Sequence, residues 1–323
     1  MKPFYLWRNT VSKVLLVYDV KGWAWHFKAM ALKKYIGHEF DKFDIMPKKH
    51  FSKKLLAKYN SIHFFGWIEG KKYAKFGGIT SAISSHNYIN KHLELAKKIL
   101  PKYDCLTCTS KILHKELTNR GMNKNVYLCQ NGVDETIFTP GKKTKDLDKF
   151  VIGWCGQPTK GTLADDAHGY EHVLLPLIES LKDHKEIKFN VLAKTFKTAS
   201  PHSVMPAWYR ELDLFIHTGY STGTPNPLFE AQSCGIPGIS TDIGAAPELL
   251  SAFNGFTTIR YHNSAGVKST IEQFNRLILE CRNNPGMTKG MGNNARRIIV
   301  SDWTWKERAR AWIKPLKQHG KKL

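Results

Sequence analysis

Short apolar runs alternate along the chain with longer stretches in which apolar residues recur at helical spacing. The apolar runs predict strands at residues 14–18, 61–65, 79–84, 105–109, 126–129, 151–155, 187–192, 212–216 and 238–240. The amphipathic stretches predict helices at residues 30–36, 91–100, 111–120, 170–181, 227–233, 247–250, 269–281, 294–300 and 303–313. This alternation is typical of α/β folds with doubly wound parallel sheets.

The alternation is interrupted once, by a charged segment between Gly141 and Lys149, and it resumes at Phe150. A chain of 323 residues is too long for one ordinary domain and suits two domains of about 150 residues each. In parallel sheets of this kind, ligands bind beyond the carboxyl ends of the strands. We therefore expect the functional residues on the loops that follow strands.

Composition excludes several classes of protein. Hydrophobic residues make up 42% and charged residues 24% of the chain, which is globular and neither disordered nor fibrous. No apolar stretch reaches the roughly 18 residues that span a bilayer, and residues 1–10 lack the apolar core of a secretion signal. Six cysteines without the spacing of a disulfide framework favour a reducing, cytoplasmic setting. Cys105 and Cys108 are predicted to be buried thiols on a strand.

The formal net charge of +22 is distributed unevenly. Residues 1–150 carry 28 Lys and Arg against 12 Asp and Glu, whereas residues 151–305 carry 14 of each kind. Residues 306–323 carry 7 basic residues and 1 acidic residue. This asymmetry predicts that one half of the protein meets a polyanion and that the other half does not.

The most informative stretch for chemistry runs from Gly219 to Pro247. It contains a Gly-Thr-Pro-Asn-Pro loop (residues 223–227) that follows a predicted strand and opens a helix. Proline suits the first helical turn, and the amides of such a turn are expected to point at an anion such as a diphosphate. Glu230 lies about one turn into the helix, where its carboxylate can accept two hydroxyl donors of a ribose.

This stretch resembles the donor-site signature of the retaining, group-one family of GT-B nucleotide-sugar glycosyltransferases. Glu230 matches the second of the family's two signature Glu residues, and Thr222 stands where the first is expected. Gly244–Glu248 resembles the segment that follows the signature, and Gln130–Asp134 resembles the end of the family's N-terminal domain. The resemblance implies two Rossmann-like domains facing a cleft, with a C-terminal helix that crosses back to the first domain.

The resemblance also implies domain limits and roles. The acceptor-binding domain comprises residues 1–146 plus 306–323, and the donor-binding domain comprises residues 147–305. The implied co-substrate is a UDP- or other NDP-sugar, transferred with retention, without metal and without a protein general base. The residues expected to bind the donor are Gly22, Lys160, His168, Thr222, Gly223, Thr224, Pro225, Asn226, Pro227, Leu228 and Glu230.

Three residues are expected to be catalytic by the same resemblance. His86 matches the family's active-site histidine, which contacts the transferred sugar, and the sequence places it at the end of a strand. Gln157 takes the place of the family's arginine beside the diphosphate. The Lys-Gly pair that supplies the second cation matches either Lys160-Gly161 or His168-Gly169, and we expect Lys160 to act with the leaving diphosphate.

The basic N-terminal half points to the acceptor. The family modifies lipids, polysaccharides, small molecules, proteins and, in some bacterial viruses, modified bases in DNA. A hydroxymethyl- or hydroxy-pyrimidine in DNA is the leading hypothesis, since lysines would neutralise phosphates and aromatic rings would stack on an extruded base. A viral protein would then act in the host cytoplasm. The residues expected to bind the acceptor are Trp23, Trp25, Lys48, Lys49, Lys53, Lys54, Trp67, Lys71 and Lys72, and Phe64 and Phe65 are further stacking candidates.

Two alternatives remain open from the sequence. A peripheral enzyme would place its basic face on an anionic membrane and glycosylate a lipid-linked or cell-surface polysaccharide acceptor. It requires apolar residues exposed among the lysines, for which Ser52–Tyr59 is the candidate. A non-catalytic nucleic-acid-binding module with a decayed donor site would explain Thr222 and Gln157, whereas Glu230 and the intact loop argue against it. The oligomeric state cannot be predicted.

Overall fold

A computed structural model describes residues 12–193 and 202–322. The prediction about a secretion signal concerns residues 1–10 and lies outside the described residues. Within them, the chain forms two all-parallel sheets with helices on their faces. The predicted fold of two doubly wound domains is confirmed.

The first sheet has the strand order β2-β1-β3-β4-β5-β6 among the described residues. Its strands are β1 (Lys13–Tyr18), β2 (Lys42–Pro47), β3 (Ser61–Phe64), β4 (Ile79–Ile83), β5 (Cys105–Cys108) and β6 (Val126–Leu128). Its helices are α1 (Ala24–Ile36), α2 (Trp67–Gly70), α3 (His86–Lys91), α4 (Leu93–Ile99) and α5 (Lys111–Asn119). Short 3₁₀ turns cover Gly37–Glu39, Lys48–His50, Lys53–Ala57 and Leu100–Lys102.

The second sheet has the order β11-β10-β9-β7-β8 in the described part of the chain. Its strands are β7 (Phe150–Gly156), β8 (Ile187–Ala193), β9 (Leu214–His217), β10 (Gly238–Thr241) and β11 (Gly255–Thr258). Its helices are α6 (Leu175–Ser180), α7 (Met205–Arg210), α8 (Asn226–Ser233), α9 (Ala246–Leu249), α10 (Ser264–Asn283) and α11 (Pro285–Asp302). A π-helical turn covers Tyr170–Leu174, and a 3₁₀ turn covers His202–Val204.

The last segment of the chain returns to the first domain through α12 (Trp305–Arg308), a 3₁₀ turn and α13 (Ile313–Gln318). Trp305, Trp312 and Leu316 are buried in the core that also contains Val14 and Leu16 of β1. The chain therefore crosses between the two domains twice, and the returning helices are part of the first domain's core.

The two crossings are hydrogen-bonded to each other. The Val133 amide donates to the Trp303 carbonyl at 2.9 Å, and the Trp305 amide donates to the Val133 carbonyl at 3.2 Å. Gly132 lies directly against this contact, because a Cβ there would come within 2.5 Å of the Trp305 nitrogen. Only glycine permits this approach of the two backbones.

Several elements differ from the sequence prediction. The edge strands β2 and β11 are not predicted, because an edge strand keeps polar positions and lacks a continuous apolar run. The predicted helix 170–181 begins as a π turn before α6, and the predicted helix 91–100 is preceded by α3. Cys105 and Cys108 are buried and free, as predicted, and burial raises the pKa of Cys108 to about 12.

The described residues contain no helix long and apolar enough to cross a membrane. Their most unusual buried group is Lys28 of α1, which is 6% exposed. Its ammonium lies 4.4 Å from the ring centre of Trp312, so it makes a cation–π contact with the returning segment. Burial lowers the pKa of Lys28 to about 7.

We predict that Lys28→Met stabilises the protein at pH 7 and that this advantage decreases as the pH rises. The folded-state pKa lies below the unfolded value, so the cost of burying the charge is complete below about pH 7 and is relieved between pH 7 and 10.5. Urea unfolding at pH 7.5 and 9.5 is expected to show the difference shrinking by about 2 kcal/mol. A difference independent of pH would contradict this account of Lys28.

Candidate active site at the interdomain cleft

The loop of residues 223–227, which the sequence predicts to bind the donor and which we call the donor loop, lies where the two domains touch. A Cβ on Gly223 would come within 2.6 Å of the Ser84 carbonyl oxygen and would also meet the Thr109 hydroxyl, both in the first domain. The Thr224 hydroxyl lies 3.5 Å from the Thr109 carbonyl oxygen. Gly223, Thr224 and Pro225 are therefore buried by the opposite domain, and only glycine fits at position 223.

The first turn of α8 differs from the prediction that its amides face an anion. The Asn226 amide donates to the Thr224 carbonyl and the Leu228 amide to the Pro225 carbonyl, each at 2.9 Å. Pro227 has no amide hydrogen. The Asn226 side-chain oxygen accepts a bond from Asn131 at 3.1 Å. These amides are used within the turn, so an anion would need other donors.

Glu230 faces the cleft from α8 and is held from one side. The Tyr209 hydroxyl donates to Oε2 at 2.8 Å, and Nε2 of His202 lies 3.8 Å from Oε1. The ring of Phe27, in the first domain, stacks on His202 with ring centres 4.1 Å apart. Beside this group lies a cavity of about 640 Å³ lined by Phe27, His202 and Arg210. Thus Tyr209 and His202 orient Glu230, one at each carboxylate oxygen.

A second carboxylate connects the domains. Glu248 on α9 accepts the Lys111 amide at 2.6 Å and the Gln130 side-chain amide at 2.7 Å. The Gln130 oxygen in turn accepts a bond from Arg308 of the returning segment at 2.9 Å. Burial raises the pKa of Glu248. The Gln130 side chain thereby joins both domains and the C-terminal segment in one network.

His86 differs in position from the sequence prediction, which placed it at the end of a strand. It opens α3 and is 2% exposed. Nδ1 is paired with Glu116, which also binds Arg120 at 2.9 Å. The bond to His86 is the main cause that lowers the pKa of Glu116, and Arg260 of the second domain contributes to the same shift. His86 Nε2 is buried and has no hydrogen-bond partner among the described residues.

The loop after β7 is organised by a carboxylate. Asp166 is 1% exposed and accepts the amides of Tyr170, Glu171 and His172 at 2.8, 2.9 and 3.0 Å. Nδ1 of His172 lies 3.1 Å from the same carboxylate. The helix N-terminus that follows this loop is therefore already occupied by an anion of the protein itself.

The other predicted site residues on this loop lie at different depths below the surface. Lys160 is exposed, and Gly161 donates its amide to Glu171 at 2.9 Å. His168 lies deeper, and burial lowers its pKa. Gln157 is half-buried directly after β7. The structure thus keeps both Lys160 and His168 near the strand end and does not decide between the two matches to the Lys-Gly pair.

Contacts between loops hold the cleft closed near His86. The Ser85 and Ser221 hydroxyls lie 3.0 Å apart, and the Asn87 amide donates to the Ser221 hydroxyl at 3.0 Å. Lys91 pairs with Asp165 at 3.2 Å. Residues 84–91 of the first domain therefore meet both the donor loop and the loop after β7.

The aromatic candidates for acceptor binding divide into two groups. Phe64 and Phe65 are buried in the core, which contradicts the prediction that they stack on a base. Trp67 is buried in the same core as Phe64 and is only 2% exposed, which likewise argues against its stacking on a base, although Trp67 and the half-buried Trp25 line a cavity of about 340 Å³ beside the cleft. Trp23 is half-buried at the start of α1, close to Gly22, whose φ of +84° belongs to the glycine-favoured region. The Gly22 amide donates to Nδ1 of His26 at 3.2 Å.

The predicted acceptor-binding lysines lie on the segments that follow β2 and β3, and all are exposed: Lys48, Lys49, Lys53, Lys54, Lys71 and Lys72. Lys48 lies 4.0 Å from Glu69. Leu56 and Tyr59 are buried beneath this surface, so the apolar face of Ser52–Tyr59 points into the core. Residues 48–75, all of them described, expose no large apolar residue.

Several site residues were not found by sequence reasoning. Asp166, Glu116, Tyr209 and His202 act through tertiary contacts that no local spacing signals. Asp166 alone had a local signal, since an acidic residue shortly before a predicted helix is a capping candidate. Among the described residues, no group of three or more His, Cys, Asp or Glu side chains is arranged to hold a metal ion.

One family model matches part of the chain, and solved structures share its fold. Residues 178–279 match the family model described as "Glycosyl transferases group 1". The matched residues lie in the second domain and make up about a third of the chain. No curated protein sequence is significantly similar to the chain.

Solved structures share the fold across nearly the whole chain. A sucrose-phosphate synthase from Thermosynechococcus elongatus superposes with a TM-score of 0.69 at 12% identity, covering 95% of this chain and 98% of that chain. HepE from Anabaena, solved with UDP and glucose, gives 0.66 at 14% identity over 94% and 99%. A glycosyltransferase from Rickettsia africae gives 0.62 at 13% identity over 95% and 98%. The GT-B fold is thus shown, and together with the family model it supports the predicted glycosyltransferase.

We predict that Asp166→Asn lowers the free energy of unfolding by about 2 kcal/mol, because the amide loses the charge and half of the acceptors that hold the amides of residues 170–172. Asp165→Asn is the matched control, since Asp165 is an exposed neighbour bound by Lys91. Urea unfolding of both variants is the measurement. Equal effects of the two substitutions on the free energy of unfolding would show that Asp166 does not stabilise the helix N-terminus by this amount.

Proposed function

We propose that the protein is a nucleotide-sugar glycosyltransferase whose donor lies in the cleft against the second domain. The observation that carries the proposal is the placement of Glu230, which is oriented by Tyr209 and by His202, itself a lining residue of the cavity of about 640 Å³. A carboxylate so placed suits a ribose diol, and a nucleoside diphosphate fits a cavity of this size. The group 1 family match and the UDP complex of HepE support this donor.

The residues suggest how the leaving diphosphate is stabilised. Asp166 occupies the helix N-terminus after β7, so Lys160 is the positive group that this loop offers, whereas burial lowers the pKa of His168 and favours its neutral form. Lys160 is exposed and can reach towards a bound diphosphate. Nε2 of His86 is buried without a partner among the described residues, and we assign it a hydroxyl of the transferred sugar as its partner. In this proposal the protein supplies position and charge, and transfer proceeds with retention as in the family it resembles.

For the acceptor, we propose a hydroxylated pyrimidine in DNA. The supporting observation is the exposed lysine surface at the carboxyl ends of β2 and β3, on the same edge of the sheet as the cleft. Its apolar neighbours Leu56 and Tyr59 are buried, which disfavours the membrane alternative, because membrane binding needs them exposed. The non-catalytic alternative predicts that no nucleotide sugar is turned over.

A transfer assay tests this function. The protein is incubated with a panel of nucleotide sugars and duplex DNA containing 5-hydroxymethylcytosine or cytosine, and the digested nucleosides are analysed by mass spectrometry. We expect a hexose- or pentose-sized gain on the modified nucleoside alone. Slow hydrolysis of a donor without transfer to DNA would contradict the DNA acceptor and keep the glycosyltransferase. No turnover of any donor would favour the non-catalytic module.

The lysine surface makes a separate prediction about salt. Lys53→Gln with Lys54→Gln is expected to weaken binding to duplex DNA and to reduce the slope of log affinity against log salt by about 2, one unit for each lost phosphate contact. The matched control is Lys182→Gln with Lys185→Gln, on the exposed surface of the second domain. Fluorescence anisotropy between 50 and 200 mM salt, roughly the range in which phosphate contacts dominate, measures both. Identical salt slopes for the two pairs of substitutions would show that this lysine surface does not contact DNA.

A further inference from the structure

A second cavity, of about 340 Å³, lies on the first-domain side of the cleft. Its lining includes Trp25, Gly66, Trp67, Ser85, Tyr88 and, from the second domain, Ala167. The rings of Trp67 and Tyr88 are arranged edge to face with centres 6.3 Å apart. Aromatic walls with a few polar groups are typical of sites for small organic groups.

A carboxylate with one unpartnered oxygen lies directly behind two lining residues of this cavity. Glu69 lies on α2, directly after β3, and a Cβ on Gly66 would collide with its Oε2 and come within 2.8 Å of the Trp25 ring. The carboxylate therefore lies against Gly66 and beside Trp25, both of which line the cavity. Oε2 is buried and has no hydrogen-bond partner among the described residues, whereas Oε1 lies 4.0 Å from the Lys48 ammonium. Leaving a carboxylate oxygen in this state is costly unless a ligand completes it.

Two further groups around Glu69 are also incomplete. Asp19 follows β1, which pairs with β3, and its Oδ1 is buried and unpartnered among the described residues. Burial, with a contribution from the charge of Glu69, raises the pKa of Asp19. The Trp67 indole N–H likewise has no acceptor in the described part of the chain, although Trp67 is only 2% exposed.

The unpartnered Trp67 indole N–H and the unpartnered oxygens of Asp19 and Glu69 together indicate the chemistry of the ligand. A hydroxyl group both donates and accepts, so it can satisfy a carboxylate and an indole N–H together. A cation would leave the indole N–H unpaired, and an anion would be repelled by the carboxylates. The aromatic rings suit the apolar face of a sugar or of a base.

We propose that this cavity binds a neutral, hydroxyl-bearing group of the acceptor, with Glu69 accepting a hydrogen bond from the hydroxyl. The inference rests on the proposed function, because it gives the acceptor a place opposite the donor loop. Asp19 and the Trp67 indole complete the hydrogen bonding, and Trp25 and Tyr88 cover the group. Such a hydroxyl comes either from a hydroxymethylated base or from a saccharide.

Binding of two probes to the full chain, without donor, tests the proposal. The first is a duplex with one 5-hydroxymethylcytosine, compared with the same duplex carrying 5-methylcytosine. The second is methyl α-glucoside, compared with its per-O-methylated form. For one of the probes we expect the hydroxylated form to bind about tenfold more tightly, as one charge-assisted hydrogen bond would give. The probe that shows the preference identifies the source of the hydroxyl.

Variants at Glu69 then locate the effect. Glu69→Ala is expected to abolish the preference, so that the hydroxylated and control probes bind equally. Glu69→Gln is expected to keep part of the preference, because an amide oxygen still accepts a weaker hydrogen bond. Glu94→Ala is the matched control, since the Glu94 side chain is 84% exposed on α4, and it is expected to keep the wild-type preference. A preference that survives Glu69→Ala, or wild-type protein without preference for either hydroxylated probe, would overturn the proposal.

Titration with UDP and other nucleoside diphosphates separates this inference from the proposed function. If a nucleoside diphosphate binds and no hydroxyl preference is found, the acceptor subsite is wrong and the glycosyltransferase proposal stands. If the hydroxyl preference depends on Glu69 and no nucleotide or nucleotide sugar binds, the cavity is a hydroxyl site in a protein of another function.

Discussion

The backbone contact between the two domain crossings is the constraint on which the site depends. Val133 is hydrogen-bonded to residues 303 and 305, and the absence of a side chain at Gly132 lets the two crossing segments approach each other closely. Because the returning helices form part of the first domain's core, this contact fixes where the second domain begins relative to the first. The donor loop, held against Ser84 and Thr109, lies in the cleft that results.

Charge is used in two different ways on the two sides of this cleft. The second domain satisfies its own helix N-terminus with Asp166 and orients Glu230 through Tyr209, so it is built around carboxylates as well as cations. The first domain carries an exposed lysine surface and, behind its cavity, the carboxylates of Asp19 and Glu69, each with one buried oxygen that has no partner among the described residues. Together these groups suit a polyanion that presents a neutral hydroxyl group.

The sequence predicted the fold well because its elements leave local signals. The buried strands are apolar runs, and the loop before Glu230 combines glycine and proline in a pattern that few folds need. The edge strands β2 and β11, the pairing of His86 with Glu116 and the burial of Phe64 and Phe65 have no clear local signature, because they depend on which distant residues pack beside them. The amides of Asn226 and Leu228 were misjudged because their acceptors lie within the turn itself.

Donor binding tests the central claim most directly. Calorimetric titration of the protein with UDP and other nucleoside diphosphates is expected to show one of them binding, and Glu230→Ala is expected to weaken it by about tenfold to a hundredfold, the value of the hydrogen bonds lost to a ribose diol. Glu179→Ala, an exposed position on α6, serves as the control. Binding unchanged by Glu230→Ala, or no binding of any nucleoside diphosphate, would contradict the assignment of this cleft as a nucleotide-sugar site.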